Sequence, residues 1–309
     1  MNFGPNLRIW YTALRPFSYS AAVVPILVGT AVAWHDGHFE ATLFFAALIG
    51  SVFIQMGTNL ANEYLDYVQG IDKPDSLGPA AVIVQDKLSA RQVLTAAILV
   101  FAAGTALGIY IAIQVGIIIL AVGLVSLSFA WFYTAKPFAL GYRGLGEPEV
   151  FIFMGPVMVL SAYYVQARTF AFTPLFISLP VAFLVMAILH ANNLRDIEQD
   201  MERGRLTWAV LSCKLWGNKR GRQVACWGYY LMLTIPYVIL IYLSVMVVVP
   251  WLVLTALLTI PQTVQLIRFV SSGIRGKPLS RVVRGTSLLH LTFGLTLTIG
   301  YLLGFLLLS

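Results

Sequence analysis

The sequence predicts an all-α integral membrane protein, a bundle of nine transmembrane helices. Three observations predict it: a composition too apolar for a water-facing surface, apolar runs of spanning length, and basic residues confined to alternate connections. Of 309 residues, 59% are hydrophobic and 11% charged, against about 25% charged in soluble domains. So few charges cannot cover a globular surface, and the mean hydropathy of +0.83 agrees. A net charge of +7 on a soluble protein would suggest nucleic acid. Here it follows from the gathering of Lys and Arg on the cytoplasmic face of membrane proteins, and no nucleic-acid partner is expected. The two cysteines, Cys213 and Cys226, form no Cys-x-x-Cys pair and read as ordinary residues. The apolar stretch that follows the mildly basic first 16 residues is long enough to span, so it reads as a helix and not as a cleaved signal peptide.

Taken in order, the spans fall near residues 17–34, 41–61, 93–113, 115–132, 150–164, 174–190, 224–244, 247–267 and 287–308. A spanning helix needs about 20 apolar residues, and several of these runs are near the short limit. The stretch from Tyr229 to Ile267 is too long for one helix, and Pro250 after a Val-rich segment marks a turn within it. Pro156 and Pro236 fall inside spans, where neighbouring helices can satisfy the freed backbone groups. With nine spans, every loop rich in Lys and Arg lies on one side, and Arg168 alone faces the other. The positive-inside rule then places the N-terminus in the cytoplasm. The chain reads as one domain, 1–309, in the cytoplasmic (inner) membrane, with motif loops at about 62–91, 133–149 and 191–222 on the cytoplasmic side.

Those loops carry most of the carboxylates. After span two, Asn62, Asp66 and Gln69 share a helical face, Gly70 ends the helix, and Asp72 and Asp75 follow on a turn. After span six, Asn192, Asp196 and Asp200 are spaced by four, with Asn193 beside them. Like charges at this spacing repel on a helix, and at a membrane boundary desolvation adds to the cost. A hard cation relieves both, and Mg²⁺ typically takes one or two carboxylates together with phosphate oxygens. Two such clusters at span ends suggest metal ions held against a diphosphate. In the loop after span four, Tyr133, Lys136, Tyr142 and Arg143 are further candidates. Lys136 or Arg143 could meet a diphosphate or an aromatic carboxylate; an interfacial Tyr belt with inside-facing cations is the plainer reading of the same residues. The four histidines read as structural, with His190 beside Asn192. Three other readings of the acidic loops stay open. They could be solvated faces without chemistry, part of an ion-coupled anion transporter, or surface charges of a non-catalytic lipid-binding protein.

The order of these motifs resembles the UbiA superfamily of membrane prenyltransferases, most closely its menaquinone branch, the 1,4-dihydroxy-2-naphthoate polyprenyltransferases. The resemblance spans nearly the whole chain. It runs through residues 14–30, the Asn62, Asp66, Gly70 and Asp72 motif, the Leu-Gly-Pro at 77–79, the segment 133–147, and the second motif from Asn192 to Asp200. Glu63 departs from the pattern, where Asp is frequent. The resemblance implies nine helices around a central cavity, capped by the Asp motifs on the cytoplasmic side. It implies Mg²⁺, a polyprenyl diphosphate donor, and 1,4-dihydroxy-2-naphthoate as the acceptor, which loses CO₂ to give demethylmenaquinol. Other aromatic acceptors, 4-hydroxybenzoate or homogentisate, are the alternatives within the family. Asp66 and Asp72 with Asn62 would bind one metal, and Asp196 and Asp200 with Asn193 or Asn192 the other. The prenyl tail would lie among apolar helices or in the lipid bilayer.

Overall fold

The computed structural model describes residues 5–70 and 81–308. Among the described residues β-structure is limited to one isolated bridge, Arg143 with Leu206. The rest is helix: α1 (Pro5–Leu14), α2 (Ser20–His35), α3 (Ala41–Val68), α4 (Ala90–Val115), α5 (Ile117–Phe132), α6 (Gly146–Ile152), α7 (Met158–Ala167), α8 (Phe172–Arg195), α9 (Ile197–Glu202), α10 (Trp208–Trp216), α11 (Asn218–Val245), α12 (Ile260–Ser271) and α13 (Ser280–Leu308). A π-helical turn, Phe153–Val157, joins α6 to α7, and a 3₁₀ run, Trp251–Thr259, leads into α12. The chain is an all-helical, multi-pass membrane protein. Among the described residues eight helical segments are long and apolar enough to cross a bilayer. The remaining expected span, α5, has 16 residues and so a length of about 24 Å, short of a hydrocarbon core about 30 Å thick.

Local chemistry accounts for the breaks. Gly116, at φ +124°, closes α4 and opens α5, a conformation that L side chains disfavour. The long apolar stretch after Tyr229 is interrupted where expected: α11 ends at Val245, Val247 takes positive φ, and Pro250 caps the 3₁₀ run. Ser89 caps α4 in a capping box with Gln92.

Helices α2, α8, α11 and α13 form the dry centre, where Val24, Leu184, Leu233, Tyr229 and Phe293 are fully buried. Hydrogen bonds cross between helices there: Tyr229 to Thr286 at 2.6 Å, and Tyr237 to Thr259 and Thr263 at 2.8 Å each. Such bonds average about 0.6 kcal/mol in a membrane bundle. Close backbone approach adds dispersion: at Gly294 any Cβ would collide with the Val24 side chain, which lets α13 settle against α2. Helices α3, α4 and α5 stand to one side of this centre, and the space between the two groups is the cavity described next.

Candidate active site

A cavity of about 540 Å³ runs from the ends of α3 and α8 into the apolar interior. Its mouth is polar, with Asn62, Asp66, Asn192, Asp196, Asp200 and Arg205 around it. Its deeper wall is made of Gly104, Gly108, Ile119, Gly123, Leu127 and Phe153. Asp66 sits in the last turn of α3, which Gln69 caps and Gly70, at φ +66°, terminates. Asp196 lies at the junction of α8 and α9, and the Asp200 amide donates to its carbonyl at 2.8 Å. A short helix restarting after a break therefore aims both carboxylates of the second motif at the same mouth.

Arginines hold these carboxylates. The Arg195 guanidinium donates two bonds to Asp196, at 2.7 and 2.6 Å, the fork geometry that Arg favours. Arg205 lies between the two motifs, 3.3 Å from Asp66 and 3.6 Å from Asp200. It also donates to the Tyr142 hydroxyl at 3.2 Å, with its guanidinium carbon 4.3 Å from the centre of that ring. Tyr142 in turn donates a hydrogen bond to Asp66. Burial pushes the Asp200 carboxyl up to about 7; Arg205 opposes the shift and the Asp196 charge adds to it.

Among the described residues no three carboxylate, imidazole or thiol groups stand close enough to enclose a cation by themselves. The donor set fits a Mg²⁺ ion completed by phosphate oxygens and water, the usual arrangement for that ion, and not an all-protein cage. Asp72 and Asp75 lie outside the described residues.

The structure brings Asn62, Asp66, Tyr133, Asn192, Asn193, Asp196 and Asp200 to one cavity. Lys136 and Arg143 do not line it: both are exposed, and Arg143 donates instead to the Pro137 carbonyl at 2.7 Å. Asn62 accepts from Thr134 at 2.9 Å, and Gln69 donates to the Thr134 carbonyl at 3.1 Å, so α3 itself fastens the loop that carries Tyr133. Burial raises the Tyr133 and Tyr142 hydroxyls well above their ordinary range, which keeps both protonated. Asn192 donates to the Ile188 carbonyl at 3.3 Å. Asn193 donates to Glu147 at 2.7 Å, and the buried His190 ring lies between Glu147, at 3.1 Å, and the Ala225 carbonyl, at 3.0 Å. His190 is thus a spacer within the bundle. Glu63 is fully buried, pairs with Arg15 at 3.1 Å and accepts the amides of Ala81 and Val82 at 3.1 and 2.6 Å. It ties the turn after α1 to the segment after the first motif.

Sequence reasoning did not single out Arg195, Arg203, Arg205, Arg15 or Glu149 as cavity residues. Arg195 and Arg205 border the second Asp motif in sequence, and that adjacency was the available signal.

The UbiA prenyltransferase family profile matches residues 22–282. The chain is 31% identical over 302 residues to a 1,4-dihydroxy-2-naphthoate octaprenyltransferase of Bacillus subtilis, covering 96% of this chain and 93% of that one. It is 33% identical over 290 residues to the protein of that name from Mycobacterium tuberculosis, covering 93% and 94%. A solved structure of a UbiA homolog from Archaeoglobus fulgidus bound to GPP and Mg²⁺ shares the fold, with a TM-score of 0.59 at 16% identity over 94% of this chain and 99% of that one. With a matching profile over most of its length and relatives of this similarity along nearly all of it, the chain belongs to the UbiA prenyltransferase family.

Proposed function

We propose that this protein transfers a polyprenyl group from polyprenyl diphosphate to 1,4-dihydroxy-2-naphthoate, releasing diphosphate and CO₂ and giving demethylmenaquinol, with Mg²⁺ as cofactor. The observation that carries the proposal is the meeting of two Asp motifs at the polar mouth of an otherwise apolar cavity. The names of the two bacterial relatives support the acceptor, and the Mg²⁺ and GPP of the structural neighbour support the donor and the ion. The proposal includes nine crossings, with α5 as the short one, a cytoplasmic N-terminus, and an active site facing the cytoplasm from the inner membrane. One domain, 1–309, carries it all.

In this reading Asp66 with Asp72, and Asp196 with Asp200, hold the ions, and Asn62, Asn192 and Asn193 supply neutral oxygens beside them. Bound Mg²⁺ supplies Lewis-acid neutralisation of the diphosphate, which improves it as a leaving group. Arg195, Arg203 and Arg205 offer guanidinium donors at the same mouth, suited to phosphate oxygens. The deeper apolar wall takes the chain and keeps water from the allylic carbon as positive charge develops there. The half-buried Tyr133 ring is available to stabilise that charge. Because the tail arrives from lipid, which is as apolar as the helices, burying it contributes little, and the head group must supply most of the donor affinity. Lys136 and Arg143, exposed beyond the mouth, would act on incoming anions and not on the bound diphosphate.

Turnover in nanodiscs tests the proposal: polyprenyl diphosphate and 1,4-dihydroxy-2-naphthoate, with Mg²⁺ or EDTA, following prenylated product and CO₂. Metal-dependent product with CO₂ is expected. Product only from another aromatic would change the acceptor, and no product from any aromatic with folded protein would overturn the enzyme reading.

A further inference from the structure

Helix α6 opens with two buried carboxylates, and they are used differently. Glu147 is spent on structure, taken up by Asn193 and His190. Glu149 is 9% exposed, lines the cavity, and its Oε2 has no hydrogen-bond partner among the described residues. A carboxylate in the first turn of a helix is favoured by the helix dipole. The dipole does not account for a buried oxygen left unpaired, a loss that proteins normally avoid. An ionisable group within a membrane span is in general a functional one.

Its position says what it could meet. Glu149 is three residues past Gly146, where α6 begins, so it lies about 4.5 Å deeper than the helix end. Val150 on the same helix, and Phe153 and Met154 in the π-helical turn that follows it, also line the cavity. Glu147, two residues before Glu149, bonds Asn193 and His190, about one and two turns short of Asp196 on α8, so Glu149 belongs to the level below the mouth, where an allylic carbon hanging from a diphosphate would be attacked. The reactant at that level is the aromatic ring. A second diphosphate oxygen would be repelled there, whereas a ring hydroxyl has the proton that the unpaired oxygen lacks.

Building on the proposed prenyl transfer, we infer that Glu149 accepts a hydrogen bond from a hydroxyl of the aromatic acceptor, orienting the ring and enriching it in electrons for attack. The step balances without net proton removal. The allylic C–O bond breaks and its electron pair leaves with diphosphate, while a ring electron pair forms the new C–C bond. The pair of the C–CO₂ bond returns to the ring as CO₂ departs, and the hydroxyl proton stays on its oxygen, held toward Glu149.

The test uses the full chain in nanodiscs with geranylgeranyl diphosphate, Mg²⁺ and three acceptors: 1,4-dihydroxy-2-naphthoate, 1-hydroxy-2-naphthoate and 4-hydroxy-2-naphthoate. For Glu149→Gln, kcat/KM for the dihydroxy acceptor should fall roughly 10- to 100-fold, as for a lost hydrogen bond to a charged group. KM for the diphosphate should stay within twofold. Wild-type protein should discriminate against one monohydroxy acceptor, and Glu149→Gln should not. Glu149→Asp should recover part of the rate. The discrimination by wild type alone keeps the test decisive if the glutamine variant does not fold. Equal losses toward both substrates, full activity of Glu149→Gln, or wild type blind to both hydroxyls would overturn the inference. If wild type transfers no prenyl group to any aromatic, the proposed function fails first and takes this inference with it.

Discussion

Arg205 stands between the two Asp motifs, so its removal has a calculable consequence. The guanidinium is 3.3 Å from Asp66 and 3.6 Å from Asp200, and its own side chain is 17% exposed. Breaking a fully buried pair costs about 3–5 kcal/mol, while exposed pairs are worth about 0–1 kcal/mol. This site lies between, and replacing Arg205 by Ala should cost about 2 kcal/mol. For a chain of this size that is a fall of about 3 °C in the thermal midpoint. The same cation competes with a divalent ion for the same carboxylates. Mg²⁺ at a hundredfold excess over its dissociation constant stabilises by about 2.7 kcal/mol, and in wild type part of that is spent displacing the guanidinium. Arg205→Ala should therefore be less stable than wild type in EDTA and should gain more from Mg²⁺. Thermal unfolding in detergent with EDTA and across a Mg²⁺ series reads both numbers. If the variant matches wild type in EDTA, or gains no more from Mg²⁺ than wild type does, Arg205 is not a stand-in for the metal and the electrostatic account of the mouth is wrong.

Other outcomes follow from the same geometry. Asp66→Asn and Asp196→Asn should each lower turnover at least about 100-fold, on the several kcal/mol a metal contributes, with the thermal midpoint measured alongside to exclude unfolding. Arg143→Ala should change kcat/KM less than about threefold, since that side chain is turned to the Pro137 carbonyl; steady-state kinetics would show it, and a large loss would restore the contact expected from sequence. Glu63→Gln removes the acceptor of Arg15 and weakens the hold on Ala81 and Val82, so it should destabilise by about 3 kcal/mol in thermal unfolding. Donor KM should vary little between short and long prenyl diphosphates when both are presented in lipid, because hydrocarbon gains little by moving between apolar surroundings.

How far the sequence could be read follows from what each feature depends on. Span positions depend on local apolar runs and their breakers, so Gly70, Gly116 and Pro250 appear where the chain turns. The Asp motifs depend on spacing along one helix, and so Asn62, Asp66, Asn192, Asp196 and Asp200 all reach one cavity. The cations could not be sorted that way. Lys136, Arg143, Arg195 and Arg205 are alike in sequence, each a basic residue in a loop near a motif. What separates them is direction. The turn after α5 sends Lys136 and Arg143 outward, while the return of the chain past α9 carries Arg205 back over Tyr142 and between the motifs. Glu63 was hidden for a related reason: one methylene longer than the expected Asp and facing away from the mouth, it pairs with Arg15 and holds two amides. A carboxylate next to an Asp motif is thus a structural strut, and among the described residues an unremarked cavity-lining carboxylate on α6, Glu149, is left with an unpaired oxygen. Chemistry at this site is decided by which acids already have partners within the fold, a property that arises only when distant segments meet.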